Sequence, residues 1–104
     1  MEIRYKAGQT STLCLLTDEE KYALTNAVKE YHTYLQLNRI LTPHDADLII
    51  EALYALNANG GGWTAIDNTI YSAALYYRNF IEDAPPCNYN EADYTPLIGI
   101  LSEL

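Results

Sequence analysis

A reciprocal helix start is written at Thr17-Asp18-Glu19-Glu20. The Thr17 hydroxyl can accept from the Glu20 amide while the Glu20 carboxylate reaches back to the Thr17 amide. Three acids in that first turn also suit the positive end of the helix dipole. Behind them, Leu24, Ala27, Val28, Tyr31 and Leu35 recur at helical spacing, the period of one buried face. Thr25, Asn26, Lys29, Glu30, Thr33 and Gln36 form the other side, which is expected to face water. The spacing predicts a helix over about 18–38.

The segments around it are punctuated as clearly. In residues 2–7, Ile3, Tyr5 and Ala7 alternate with Glu2, Arg4 and Lys6, as in a half-buried strand. Gly8-Gln9 breaks the run, and Thr10 to Leu16 supplies a second strand, so a β-hairpin is expected over 2–16. Such a hairpin is marginal alone and must pack on helices or pair across a dimer. Thr42-Pro43 opens a helix over about 43–57, with proline where its missing amide hydrogen costs nothing. Ala46, Ile49, Ile50, Leu53 and Leu56 form its stripe. Leu48, Ala52 and Ala55 make the opposite side apolar too, which places this helix in the middle of the domain. Its narrow polar sector is His44, Asp47, Glu51 and Tyr54.

Thr64-Ala65-Ile66-Asp67 reads as a further capping signal for a helix over about 65–82. Its stripe is Ile66, Ile70, Ala73, Ala74, Tyr77, Phe80 and Ile81. Tyr71 and Leu75 lie opposite, flanked by Arg78 and Glu82, either covered by another element or open to a partner. Pro85-Pro86 stops the helix, 87–94 reads as a loop, and Thr95-Pro96 opens a last helix over about 96–103. Gly99 weakens that helix by about 1 kcal/mol relative to Ala. The expected fold is mainly α with a small N-terminal β-hairpin, an α+β class. It is a single domain over 1–104, with the hairpin followed by a compact three-to-four-helix bundle.

The chain is 49% apolar and 19% charged, which reads as globular rather than disordered. No apolar run approaches the roughly 18 residues of a membrane span. Met1-Glu2-Ile3-Arg4 lacks the layout of a secretory signal, so a cytoplasmic location is expected, with Cys14 and Cys87 reduced and inert. Charge is the functional clue. Residues 1–39 hold five acids and five bases, whereas residues 40–104 hold nine acids against Arg78 alone, and so carry the whole net charge of −8. That balance argues against direct nucleic-acid binding, which needs Lys and Arg to neutralise phosphates.

Catalysis and cofactors find no support. Cys14 and Cys87 have no neighbouring base in sequence, and Gly60-Gly61-Gly62 lacks the lysine of a phosphate loop and follows a helix. The His44/Asp47/Glu51/Tyr54 stripe shares a helix face but lacks the further ligands of a metal site. No enzyme activity, cofactor or metal is expected, and Trp63 is expected in the core. An acidic half dotted with tyrosines fits a protein–protein interaction module that binds a basic protein surface. Carboxylates steer the encounter while Tyr rings supply contact area. Its particular form would be an inhibitor of a nuclease or other nucleic-acid-binding protein, by nucleic-acid mimicry. The expected contact residues are Asp47, Glu51, Tyr54, Asp67, Tyr71, Leu75, Glu82 and Asp83. The alternative is a non-catalytic structural or regulatory subunit that forms a homodimer through the hairpin edge or the Tyr71/Leu75 face.

Overall fold

The capping box closes as the sequence predicts: the Thr17 amide donates to Glu20 Oε1 at 2.7 Å and the Glu20 amide donates to Thr17 Oγ1 at 3.1 Å. These contacts come from a computed structural model, which describes residues 11–57, 62–83 and 88–103. In chain order the elements are β1 (Ser11–Leu16), α1 (Asp18–Leu37), α2 (Pro43–Asn57), β2 (Gly62–Asp67), α3 (Asn68–Asp83) and α4 (Asn88–Glu103). The fold is α+β, with four helices and a two-stranded antiparallel sheet among the described residues. Helix α1 is the hub, touching β1 and all three other helices.

Helix α1 ends in a two-bond cap. The Ile40 amide reaches the Leu35 carbonyl and the Arg39 amide reaches that of Gln36. The turn puts Arg39 at φ 56°, where a non-glycine residue stores about 1–2 kcal/mol of strain. Helix α2 begins as expected, with Thr42 Oγ1 accepting the Asp45 amide. Its position differs from the expectation. Only Ile49, Ala52 and Leu56 are buried, and Ile50 and Tyr54 are exposed, so α2 lies at the edge and α1 occupies the middle. The apolar residues around α2 exceed what its neighbours can cover.

Strand β1 matches the second half of the expected hairpin. Its partner among the described residues is β2, paired antiparallel from Ser11 opposite Asp67 to Leu16 opposite Gly62. Residues 2–7, the other expected strand, lie outside the described residues, as does Cys87. Cys14, Leu16, Thr64 and Ile66 face the helices, while Leu15 and Trp63, paired across the ladder, face outward. Trp63 is therefore exposed rather than in the core. Helix α3 starts at Asn68 instead of 65. Asp67 ends β2 and caps the helix, its Oδ1 accepting the Ile70 amide at 2.9 Å. The Thr64-to-Asp67 signal marks the helix correctly but three residues early, because β1 pairing claims those residues as strand.

Helix α4 corrects the expected boundaries of 96–103, since it begins at Asn88 and carries Pro96 in its interior. A proline there removes one helical hydrogen bond and costs about 3 kcal/mol or more. Tertiary contacts offset this. Leu97 and Ile100 are fully buried in the shared core, and Asp93 is 4% exposed. Asp93 Oδ2 accepts from Asn26 Nδ2 of α1 at 2.9 Å and from the Tyr77 hydroxyl of α3 at 2.8 Å. Asn26, placed by periodicity on the wet side of α1, is buried for this reason.

Replacing Asp93 with Ala removes the shared acceptor of two buried donors and is expected to cost about 2–5 kcal/mol, whereas Tyr77→Phe removes only the hydroxyl's bond to that acceptor and costs about 1–3 kcal/mol. Urea denaturation followed by far-UV circular dichroism measures both. Equal, small effects would show that the three-helix junction is held by apolar packing alone.

Candidate functional site

Helices α1 and α3 pass antiparallel: Leu35 shares a hollow with Thr69 and Ser72, while Asn26 and Tyr77 meet at Asp93. That crossing lines up aromatic side chains set three apart on α1, Tyr31 and Tyr34, with Tyr76 and Phe80, set four apart on α3. Such spacings share a helix face. Tyr34 and Tyr76 are 4.7 Å apart between ring centroids, Tyr31 and Tyr76 5.8 Å, Tyr31 and Tyr34 6.4 Å, and Tyr76 and Phe80 6.2 Å. Offset ring pairs at these separations contribute about 0.5–1.5 kcal/mol each beyond area burial. Tyr77, next to Tyr76, turns inward and is 1% exposed, while Tyr34 is 38% and Phe80 41% exposed. The result is an aromatic face of mutually packed rings, partly open to solvent.

Carboxylates border this face. Burial, then the negative charge of Asp45, pushes the Tyr31 phenol above its ordinary value; burial, then Glu30, does the same to Tyr76. Asp83 lines an open hollow of about 340 Å³ with Tyr76, Asn79 and Phe80. A second hollow of about 150 Å³ lies at the other end, between α1, α2 and α3, lined by Tyr31, Asp45, Asn68, Thr69 and Ser72 over Leu35 and Ile49. No cationic side chain lines either hollow among the described residues.

The eight expected contact residues divide among several places. Asp47, Glu51 and Tyr54 are exposed together on α2, as their spacing implies, with Tyr54 at 78% exposure. Asp67 is engaged as the cap of α3. Glu82 accepts the Tyr94 hydroxyl at 2.8 Å, a bond that raises the Tyr94 phenol above its ordinary value, with burial and the Glu82 charge adding and Arg78 opposing. Tyr71 is exposed and Leu75 half-buried on the flank of α3. Asp83 joins the aromatic face. Sequence reasoning missed Tyr34 and Tyr76 and placed Phe80 in the core, whereas it is exposed. The available signal was the i, i+3 tyrosine pair at 31 and 34, but its partner helix was not legible. Among the described residues no three His, Cys, Asp or Glu side chains converge as a metal site, and no helix is long and apolar enough to cross a membrane.

The fold and this face define a small helical α+β protein with an acid-rimmed aromatic surface. No family model matches the chain, and neither the curated proteins nor the solved structures compared with it gave a match.

The tyrosine environment has a pH consequence. A raised phenol favours the protonated form in the folded state, so its stabilising contribution is complete below the ordinary value of 10.0 and is lost as pH rises through the folded value. Absorbance titration at alkaline pH should show a component ionising above free tyrosine. That component should shrink in Tyr31→Phe and in Tyr76→Phe. A single transition at the free-tyrosine value in the folded protein would contradict this environment.

Proposed function

We propose that this chain is a protein–protein interaction module that binds a basic surface of a protein partner through the α1–α3 aromatic face. The observation that carries the reading is the pairing of half-exposed, mutually packed rings with the carboxylates of Glu30, Asp45 and Asp83. Rigid rings offer contact area at little entropic cost, and aromatic residues are enriched at interface centres. The surrounding charge suits a cationic partner, because ring faces and carboxylates both attract Lys and Arg. Asp47 and Glu51 extend the negative field on α2 and steer the encounter. Within this class, the particular form is an inhibitor that occupies the phosphate-binding surface of a nuclease or another nucleic-acid-binding protein. The chain then acts without catalysis, from the cytoplasm.

Immobilised protein should capture a basic protein from cell extract, with recovery falling as salt rises from about 50 to 500 mM. Reversing Glu30 and Asp83 to Lys should slow association by about tenfold or more, because charge acts chiefly on the encounter rate. Truncating Tyr34 and Phe80 to Ala should instead speed dissociation. Salt-insensitive capture, or an acidic partner, would overturn the reading.

A second reading, self-association, has its own observation: Leu15 is 62% and Trp63 53% exposed, opposite each other on the outer face of the sheet. Light scattering over a roughly hundredfold range of concentration decides it, since a homodimer gains mass by mass action and Trp63→Ser should suppress that gain. Constant monomer mass ends this reading.

A further inference from the structure

We propose that the hollow between α1, α2 and α3 is the receptor for a single arginine side chain of the basic partner. The inference deepens the basic-partner reading and rests on it. The hollow is built at one end of the aromatic face, and Tyr31 belongs to both. Leu35 and Ile49, both buried, form its apolar floor, while Tyr31, Asp45, Asn68, Thr69 and Ser72 line it with residues whose side chains carry oxygen acceptors. Among the described residues, the Asp45 carboxylate has neither a hydrogen-bond donor nor a cation; the one bond to a side chain that the residue makes is from its backbone amide to Thr42 Oγ1.

Size narrows the ligand. A volume of about 150 Å³ is below the roughly 300 Å³ at which small-molecule pockets begin. The end of one long side chain fits; a cofactor does not. Charge narrows it further. An anion would meet the Asp45 carboxylate, and a metal ion would find a single carboxylate with no group of three His, Cys, Asp or Glu side chains to hold it among the described residues. The N-terminal turn of α3 disfavours a bare cation, but the Asp67 carboxylate already caps that turn. Arginine is favoured over lysine because its planar fork spreads five donors across several acceptors and stacks on rings. The Tyr31–Tyr34 pair beside the hollow offers such a surface. A guanidinium seated against Asp45 would lay its aliphatic stem along Leu35 and Ile49, and the flanking partner residues would run onto the tyrosines.

The probe is the blocked tripeptide acetyl-Gly-Arg-Gly-amide, titrated into the full chain labelled with nitrogen-15, with lysine and citrulline versions in parallel. Shifts should centre on Asp45, Asn68, Thr69 and Ser72 and saturate with a dissociation constant on the order of 1 mM, as for one side-chain-sized fragment. Lysine should bind about threefold and uncharged citrulline about tenfold more weakly. Asp45→Asn should cost the arginine peptide about tenfold. Ser72→Leu, which fills the hollow from an exposed position, should abolish the local shifts while the rest of the spectrum stays folded. Equal binding of arginine and citrulline, an unchanged titration in Asp45→Asn, or shifts confined to Asp47, Glu51 and Tyr54 would overturn the assignment. Salt-dependent capture of a basic protein that Asp45→Asn leaves intact would remove the arginine receptor and leave the broader reading standing. A saturating arginine titration with no salt-dependent capture by the unsubstituted chain would overturn the basic-partner reading and, with it, the assignment of the hollow to that partner.

Discussion

The Asp93 carboxyl group, buried where three helices meet, is the interaction on which the rest of this fold is arranged. One oxygen takes Asn26 of α1 and Tyr77 of α3, so α4 is tied to both at a single point. A buried carboxyl without donors would carry a desolvation cost of several kcal/mol, so the arrangement tolerates little sliding of one helix past another. Apolar packing alone would be less exacting, since helix faces of Leu, Ile and Ala accept several registers. The hydrogen bonds select one.

That selection reaches the surface. With Tyr77 turned inward to Asp93, its neighbour Tyr76 is turned out, and Phe80 follows one turn later. Asn26 sets the phase of α1 in the same way, which brings Tyr31 and Tyr34 to meet the rings of α3. The aromatic face and its two hollows are therefore the outer consequence of a polar junction inside. The carboxylates at the rim cost little where they stand, because they remain near water. Burial first and their charge second raise the neighbouring phenols above the ordinary value.

Local chemistry was legible wherever neighbours in sequence settle it. The capping box at Thr17, the Thr42-Pro43 start and the span of α2 are all visible in the chain, since each depends on side chains three or four residues apart. The α4 boundary was misjudged because Pro96 reads as a start, while the reasons to continue the helix through it lie on α1 and α3. The start of α3 was misjudged because β1, some fifty residues earlier, pairs with residues 62–67. The apolar circumference of α2 implied a central helix, yet a helix's place depends on what its partners can cover, and α1 had already claimed the middle. The candidate site was the least legible part, since Tyr34 and Tyr76 gain meaning only by meeting.

What the amino-acid order determined by itself is the set of helices, most of their caps, the α+β class and an acidic C-terminal half, because these follow from short-range hydrogen bonding, periodicity and counting. Which residues sit beside one another across the bundle was decided by tertiary structure alone. Trp63 facing solvent, Asn26 turned inward and four rings gathered over two helices all depend on long-range contacts, whose energies no local spacing encodes.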